Sequence, residues 1–317
     1  MPFKHLDTEL IDELLSTKKR IGKGATSTTY RVKNCFTNKG SLCLKMLNGE
    51  YFTLSNEQDT NKSKNKSSWT EEEEQNNEEE EKPEFDIEMA NKLYKEYELL
   101  HLLCHPNILT AYGFYLGDKT HNPAILLEFC MQNLSKAIKM FDDVDLVGVI
   151  YEICSAMEYL HEYNVFHRDL KMANILIKQN KHVKICDFGM SKVIDLTTLT
   201  SLTHNVGTIA FMAPELFRED QKYNEKVDVY SFGVVMYFIV TKGEEAPFTG
   251  TGSYASLKLP NSINKLSQSI IKKCWSNSPE ERPSFSDILK TMTDNNFMLV
   301  DGIEDKIPNL LKHLGLK

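Results

Sequence analysis

The segment HRDLKMAN (167–174), followed by Asp187-Phe188-Gly189, constrains this chain more than any other feature. It brings Asp169, Asn174 and Asp187 into one short stretch, offering two carboxylates and an amide oxygen. Two apolar runs, NILI (174–177) and VKIC (183–186), flank a turn carrying Asn180 and read as short strands.

The surrounding chain is long enough, at 317 residues, for one large domain or two lobes with ample core. A hydrophobic share of 41% and a charged share of 26% are those of a soluble globular protein. The start, MPFKHLDTELIDELL, is too acidic for a signal peptide. The longest apolar run, Val227 to Val240, is interrupted by Asp228, Ser231 and Gly233. It falls short of the roughly twenty residues a bilayer requires and reads as a buried helix. Seven cysteines show neither CxxC pairing nor metal-ligand spacing with histidine, which points to reduced thiols and a cytoplasmic location. The net charge of −8 is uneven: Glu50 to Glu88 holds fourteen acidic residues and four lysines, a local −10, leaving the rest near +2.

Residues 1–15 read as a short helical lead-in, with Leu6, Leu10 and Leu14 spaced by four. TSTTYRVK (26–33) and SLCLKML (41–47) read as strands. Residues 48–84 are polar and aperiodic, and are expected to form a disordered acidic insert that cannot bury enough apolar surface to order itself. A helix is expected over 85–103, strands at 110–117 and 124–129, and a helix over 142–163 with Val147, Ile150, Cys154 and Met157 on one face. From 226 onward the pattern is helical. The fold class is therefore α+β, strand-rich first and helix-rich second.

HRDLKMAN and the Asp187-Phe188-Gly189 motif resemble the catalytic and metal loops of the eukaryotic protein kinase family. IGKGATSTTY (21–30) resembles that family's glycine-rich loop incompletely: Gly22 and Gly24 match, Ser27 replaces the third glycine and Thr29 the valine. Lys45 takes the place of the strand lysine, and Glu96, nine residues before His105, that of its paired glutamate; Glu98 is the nearby competitor. The resemblance covers about residues 16–295. It implies a bilobal fold, with a β-rich N-lobe of one main helix (16–130), a larger helical C-lobe (131–298), ATP between them, and a C-terminal tail (299–317).

It also implies the site. Asp169 would accept or steer the substrate proton, Lys171 would neutralise charge on the γ-phosphate, and Asn174 and Asp187 would ligate Mg²⁺. Lys45, oriented by Glu96, would hold the α- and β-phosphates. Ile21, Gly22, Gly24, Thr29, Cys43, Lys45, Glu128, Cys130 and Leu176 would contact ATP, with 125–134 as the hinge and Leu127 as gatekeeper. His167 and Phe188 read as spine residues. Asp228 would anchor the catalytic-loop backbone, Arg282 would pair with Glu215, and Thr208 would bond Asp169 and Lys171. The hydroxyls of Thr197, Thr198, Thr200, Ser201 and Thr203 make an activation segment whose phosphate would pair with Arg168.

Lys171 and Thr208 match serine/threonine kinases, while KVDVYSFGVVMY (226–237) and CWSNSPEERPSF (274–285) resemble the tyrosine-kinase-like group. The reading is an ATP- and Mg²⁺-dependent serine/threonine kinase acting on a protein substrate, without nucleic acid or membrane; oligomeric state is not legible. The alternatives are a nucleotide-binding pseudokinase scaffold, motivated by Ser27 and Thr29, and a dual-specificity kinase. The insert either tunes the helix of Glu96, docks a basic partner, or is a tolerated expansion. The tail, with Ile303, Ile307 and Leu311 spaced by four, either packs back or binds a partner, and Pro308 breaks any single helix there.

Overall fold

A computed structural model describes residues 5–36, 40–49, 87–188, 192–193, 211–217, 223–243 and 259–316. The chain divides into two compact units, one of residues 1–97 and 111–127, the other of 98–110 and 128–317. The insert beyond Gly49 and the activation-segment hydroxyls, Thr208 included, lie outside the described residues.

The first unit is a five-stranded sheet of order β1-β2-β3-β5-β4, with β1 Lys19–Lys23, β2 Ser27–Lys33, β3 Ser41–Leu47, β4 Ala111–Tyr115 and β5 Ala124–Glu128. β-Branched and aromatic residues in STTYRVK and apolar alternation in SLCLKML favour the extended chain. Pairing is antiparallel and sets Tyr30 opposite Leu44 and Val32 opposite Leu42. That face is covered by α1, Thr8–Ser16, whose N-terminus is capped by the Asp7 side chain accepting from Leu10 N–H. Leu6, Ile11 and Leu14 join Val32, Leu42, Leu44 and Leu126 in one core. The segment set apart as a lead-in is thus a layer of this unit, and Leu6 N–H bonds Phe114 O at 2.9 Å along the edge strand β4. α2, Ile87–Leu102, packs Tyr94 and Tyr97 onto Phe114, with ring centroids 5.1 and 5.5 Å apart.

The second unit is mainly helical. Among the described residues its helices are α3 (Leu134–Ala137), α4 (Asp143–Glu162), α5 (Lys226–Val240), α6 (Lys265–Cys274), α7 (Phe285–Asp294) and α8 (Ile307–His313). Two small sheets accompany them: β6 (Gln132–Asn133), β8 (Ile175–Ile177) and β9 (Val183–Ile185) in order β6-β8-β9, and β7 (Val165–Phe166) paired with β10 (Lys192–Val193). A capping box between Asp142 and Asp145 starts α4, and Val147, Ile150, Cys154 and Met157 are buried as their spacing predicts. α5 is apolar around nearly its whole circumference and accordingly buried. The tail packs back: Ile307 and Leu311 of α8 are fully buried, and Pro308 sits in the first turn, where its missing N–H removes no helical bond. Among the described residues no helix is long and apolar enough to cross a membrane.

Helix packing in this unit requires glycine at one position. A Cβ on Gly233 of α5 would lie 2.8 Å from Cys274 Cβ and 3.3 Å from Trp275 N. Gly233→Ala therefore lowers stability by about 1–3 kcal/mol, read as a drop in Tm. Gly148→Ala on α4, whose Cβ would meet Leu310 Cδ1 at 3.4 Å, leaves Tm unchanged or raises it, because alanine restores helix propensity.

Candidate active site

The predicted site residues fall into two sets, one in each unit. In the first unit, strand register sets Gly22 opposite Thr29, and Thr29 opposite Lys45. The three therefore form a row on one sheet face, with Cys43 two residues along on the same side. A Cβ on Gly22 would come no closer than 3.8 Å to Thr29 Cβ, and one on Gly24 no closer than 3.5 Å to Ser27 O. The fold itself therefore has room for side chains at both positions. Bare backbone there suits an outside group that must approach closely, as phosphates do.

Lys45 Nζ donates to both carboxylate oxygens of Glu96, at 2.8 and 2.7 Å. Glu96 is buried on α2 whereas Glu98 is exposed, which settles the choice between them. Burial pushes the Cys43 thiol up to about 12 against the opposing charge of Lys45, so it is a neutral apolar wall. Ile21 is 47% exposed on β1.

In the second unit the catalytic-loop segment is held from behind by Asp228, at the start of α5. Its Oδ2 accepts the His167 N–H at 2.8 Å and its Oδ1 the Arg168 N–H at 2.7 Å. His161 Nε2 lies 3.0 Å from Oδ2. Burial alone would raise this carboxyl, but the His161 hydrogen bond, the charges of His161 and His167 and the Arg168 N–H outweigh it and hold it below its ordinary value. Arg168 adopts φ 65° and Asp187 φ 69°, left-handed conformations unusual for residues with a Cβ. Phe188 is buried, with its ring centroid 5.1 Å from that of His167, as a spine residue would be.

Asp169 Oδ2 accepts Lys171 Nζ at 2.7 Å and Asn174 Nδ2 at 2.9 Å. Asp169 Oδ1 is buried and has no hydrogen-bond partner among the described residues. Asn174 Nδ2 also donates to Asp169 O at 2.8 Å, and no hydrogen bond from the described residues reaches Asn174 Oδ1. That oxygen and the exposed Asp187 carboxylate suit a magnesium ion that brings its own water and phosphate oxygens. Among the described residues no group of three His, Cys, Asp or Glu side chains could hold a metal unaided.

At the hinge segment, Glu128 N–H is committed to Thr110 O at 2.9 Å. The Glu128 carboxylate pairs with Lys178 and Lys184, each at 2.8 Å. Burial would raise its pKa, but these lysines lower it. Cys130 is buried and Leu176 half-buried on β8. The ion pair between Arg282 and Glu215 is present and buried, at 2.6 and 2.9 Å.

Three features escape the sequence reading. Arg168 donates to the Tyr223 hydroxyl, with its guanidinium 4.9 Å from that ring. Lys178, just after β8, and Lys184, within β9, grip Glu128 from beside two strands that show only as apolar runs. Asn48, assigned to the insert, instead bonds to the glycine-rich turn. Only the last had a sequence signal, the Asn48-Gly49 dipeptide that marks a turn.

Residues 70–292 match the protein kinase domain, and the chain belongs to that family. It is 34% identical over 228 residues to a probable serine/threonine-protein kinase of Dictyostelium discoideum, covering 65% of this chain and 16% of that protein. To the serine/threonine-protein kinase CTR1 of Arabidopsis thaliana it is 33% identical over 225 residues, 65% of this chain and 27% of the relative. To mitogen-activated protein kinase kinase kinase 12 of Rattus norvegicus it is 38% identical over 212 residues, 62% and 23%. The matched region thus spans between 16% and 27% of these relatives' own length. They agree with the tyrosine-kinase-like serine/threonine group indicated by residues 226–237 and 274–285.

The depressed Asp228 carboxyl has a defined pH signature. A group whose folded pKa lies below its unfolded value of 3.8 stabilises the fold above that pH and loses its contribution as pH falls through the folded value. Asp228→Asn, which removes the charge and one acceptor, lowers stability by about 3 kcal/mol at pH 7. The gap between the two proteins narrows in denaturant melts taken below about pH 4.

Proposed function

We propose that this chain transfers the γ-phosphoryl group of ATP, with Mg²⁺, to serine or threonine hydroxyls of a protein substrate. The observation that carries the reading is the Asp169 carboxylate, one oxygen of which is held by Lys171 and Asn174 while the other is buried without a partner among the described residues. A buried acceptor left unpaired costs about 1–3 kcal/mol, and a substrate hydroxyl aimed at Oδ1 would recover that cost. Asp169 then accepts the hydroxyl proton as oxygen attacks. Lys171, already held at Oδ2, lends its charge to the transferring phosphoryl. Lys45, fixed by Glu96, holds the α- and β-phosphates, and Asn174 Oδ1 with Asp187 would hold magnesium. The metal, when bound with ATP, neutralises the phosphate charge.

Ile21, Gly22, Gly24, Thr29, Cys43, Glu128, Cys130 and Leu176 would supply the remaining nucleotide contacts. Retention of Lys45, Glu96, Asp169 and Asp187 favours a working enzyme over a scaffold. A cytoplasmic setting is supported by seven cysteines, all of them unbridged. We also propose that phosphate on Thr200, Ser201 or Thr203 raises activity by pairing with Arg168.

The test is phosphorylation of the protein itself, or of a generic peptide, with ATP and Mg²⁺. Asp169→Asn lowers kcat at least about 100-fold, and mapped sites are serine and threonine. Signal no greater than in that variant would leave a scaffold, and mapped phosphotyrosine would establish dual specificity. Alanine at Thr200, Ser201 and Thr203 together lowers activity on the order of tenfold; unchanged activity would remove loop phosphorylation from the account.

A further inference from the structure

Behind the glycine-rich turn lies a hydrogen-bonding system that the resemblance does not foreshadow. Asn48 follows β3, and its Nδ2 donates to Gly24 O at 3.0 Å and to Ala25 O at 3.1 Å. Its Oδ1 accepts the Thr28 hydroxyl at 2.6 Å, and its own N–H bonds Thr26 O at 2.9 Å. One residue thereby ties four positions of a turn whose own closure includes the Gly24 N–H to Ser27 O bond at 2.8 Å. Asn48 is itself braced from the segment before β5. Asn122 Nδ2 donates to Leu47 O at 3.2 Å and Gly49 O at 2.9 Å, and Leu47 N–H bonds Pro123 O at 3.0 Å.

Side chains alternate along β2, so Thr28 points away from the face that carries Thr29 and Lys45. The tie therefore acts from the rear and leaves the front of the turn clear. Gly24, Ala25 and Thr26 are exposed and provide no side-chain packing that could shape such a turn, and an unfixed turn would lose entropy on closing around a ligand. Fixing it during folding removes that loss from binding.

We propose that Asn48 is a positioning residue for phosphate binding: it presets the backbone of residues 24–28 for the polyphosphate of the nucleotide. The inference rests on the ATP-dependent reading above and specifies how a loop with Ser27 in place of the third glycine still receives phosphates. Because the tie touches the phosphate turn and not the hinge, its loss weakens ligands in proportion to their phosphates.

The experiment is calorimetric titration of the whole chain with MgATP, MgADP and adenosine, alongside steady-state kinetics. Asn48→Ala raises the Kd of MgATP and MgADP about tenfold, equivalent to about 1.4 kcal/mol, while adenosine binding stays within about twofold. KM for ATP rises by a similar factor and kcat changes by less than about threefold. Thr28→Val removes one bond of the tie and raises the MgATP Kd about threefold; it carries the test should Asn48→Ala lose its thermal transition. Nucleotide affinity within about twofold of wild type in both variants, or an equal loss for adenosine and ATP, would overturn the inference alone. Failure of the unaltered protein to bind MgATP would overturn the kinase reading, and this inference with it.

Discussion

The carboxylate of Asp228 is wholly buried, and the catalytic-loop segment is shaped around the need to satisfy it. An unpaired charge in such a place costs several kcal/mol. The donors that meet it are the backbone N–H groups of His167 and Arg168, together with His161. Presenting two successive N–H groups to one carboxylate coincides with Arg168 at φ 65°. A left-handed residue costs about 1–3 kcal/mol, and two hydrogen bonds to a charged acceptor contribute about 1.5–3 kcal/mol each. The bonds outweigh the strain. The loop is thus held in a conformation its own sequence would not choose, and Asp169 follows directly from it.

Lys45 and Glu96 solve the same problem differently. Their pair joins residues separated by 51 positions, with Glu96 nearly buried and Lys45 about one-fifth exposed. Removing either partner would leave a desolvated charge, so the pair is a constraint on where α2 sits against β3 as much as a stabilising contact. Its geometry gives the lysine one direction, as the phosphate-holding role proposed for it would require.

How far the sequence reveals this depends on the range of the interaction concerned. Strands β2 and β3 and helices α2 and α4 are legible because burial imposes a period of two or 3.6 on their own residues. Lys45, Glu96, Asp169, Asn174 and Asp187 are legible because phosphoryl transfer needs particular groups in a particular order. Contacts that depend on three-dimensional closeness without periodicity are not. Tyr223 at Arg168 is 55 residues away, and Lys184 at Glu128 sits in a strand whose apolar neighbours conceal its role. Asn48 was hidden by its position beside a polar stretch, although it faces inward to the turn. Segments 1–15 and 299–317 look peripheral because each is short. Their leucines and isoleucines nonetheless complete cores made by distant elements.

Asp228 and Asn48 share a principle of construction. Each secures a functional segment from the side away from the chemistry, one by a buried carboxylate acting on backbone N–H groups, the other by an amide acting on backbone carbonyls. Support from the rear uses up hydrogen-bonding groups that face the protein and spares those that would face a substrate. Among the described residues, Asp169 Oδ1 has no partner and Gly22 and Gly24 present bare backbone. On the proposed activity, reorganisation that would otherwise accompany each turnover would be completed once, during folding. The departure at Ser27 fits the role proposed for Asn48, since the shape of the turn would then rest on Asn48 more than on a third glycine.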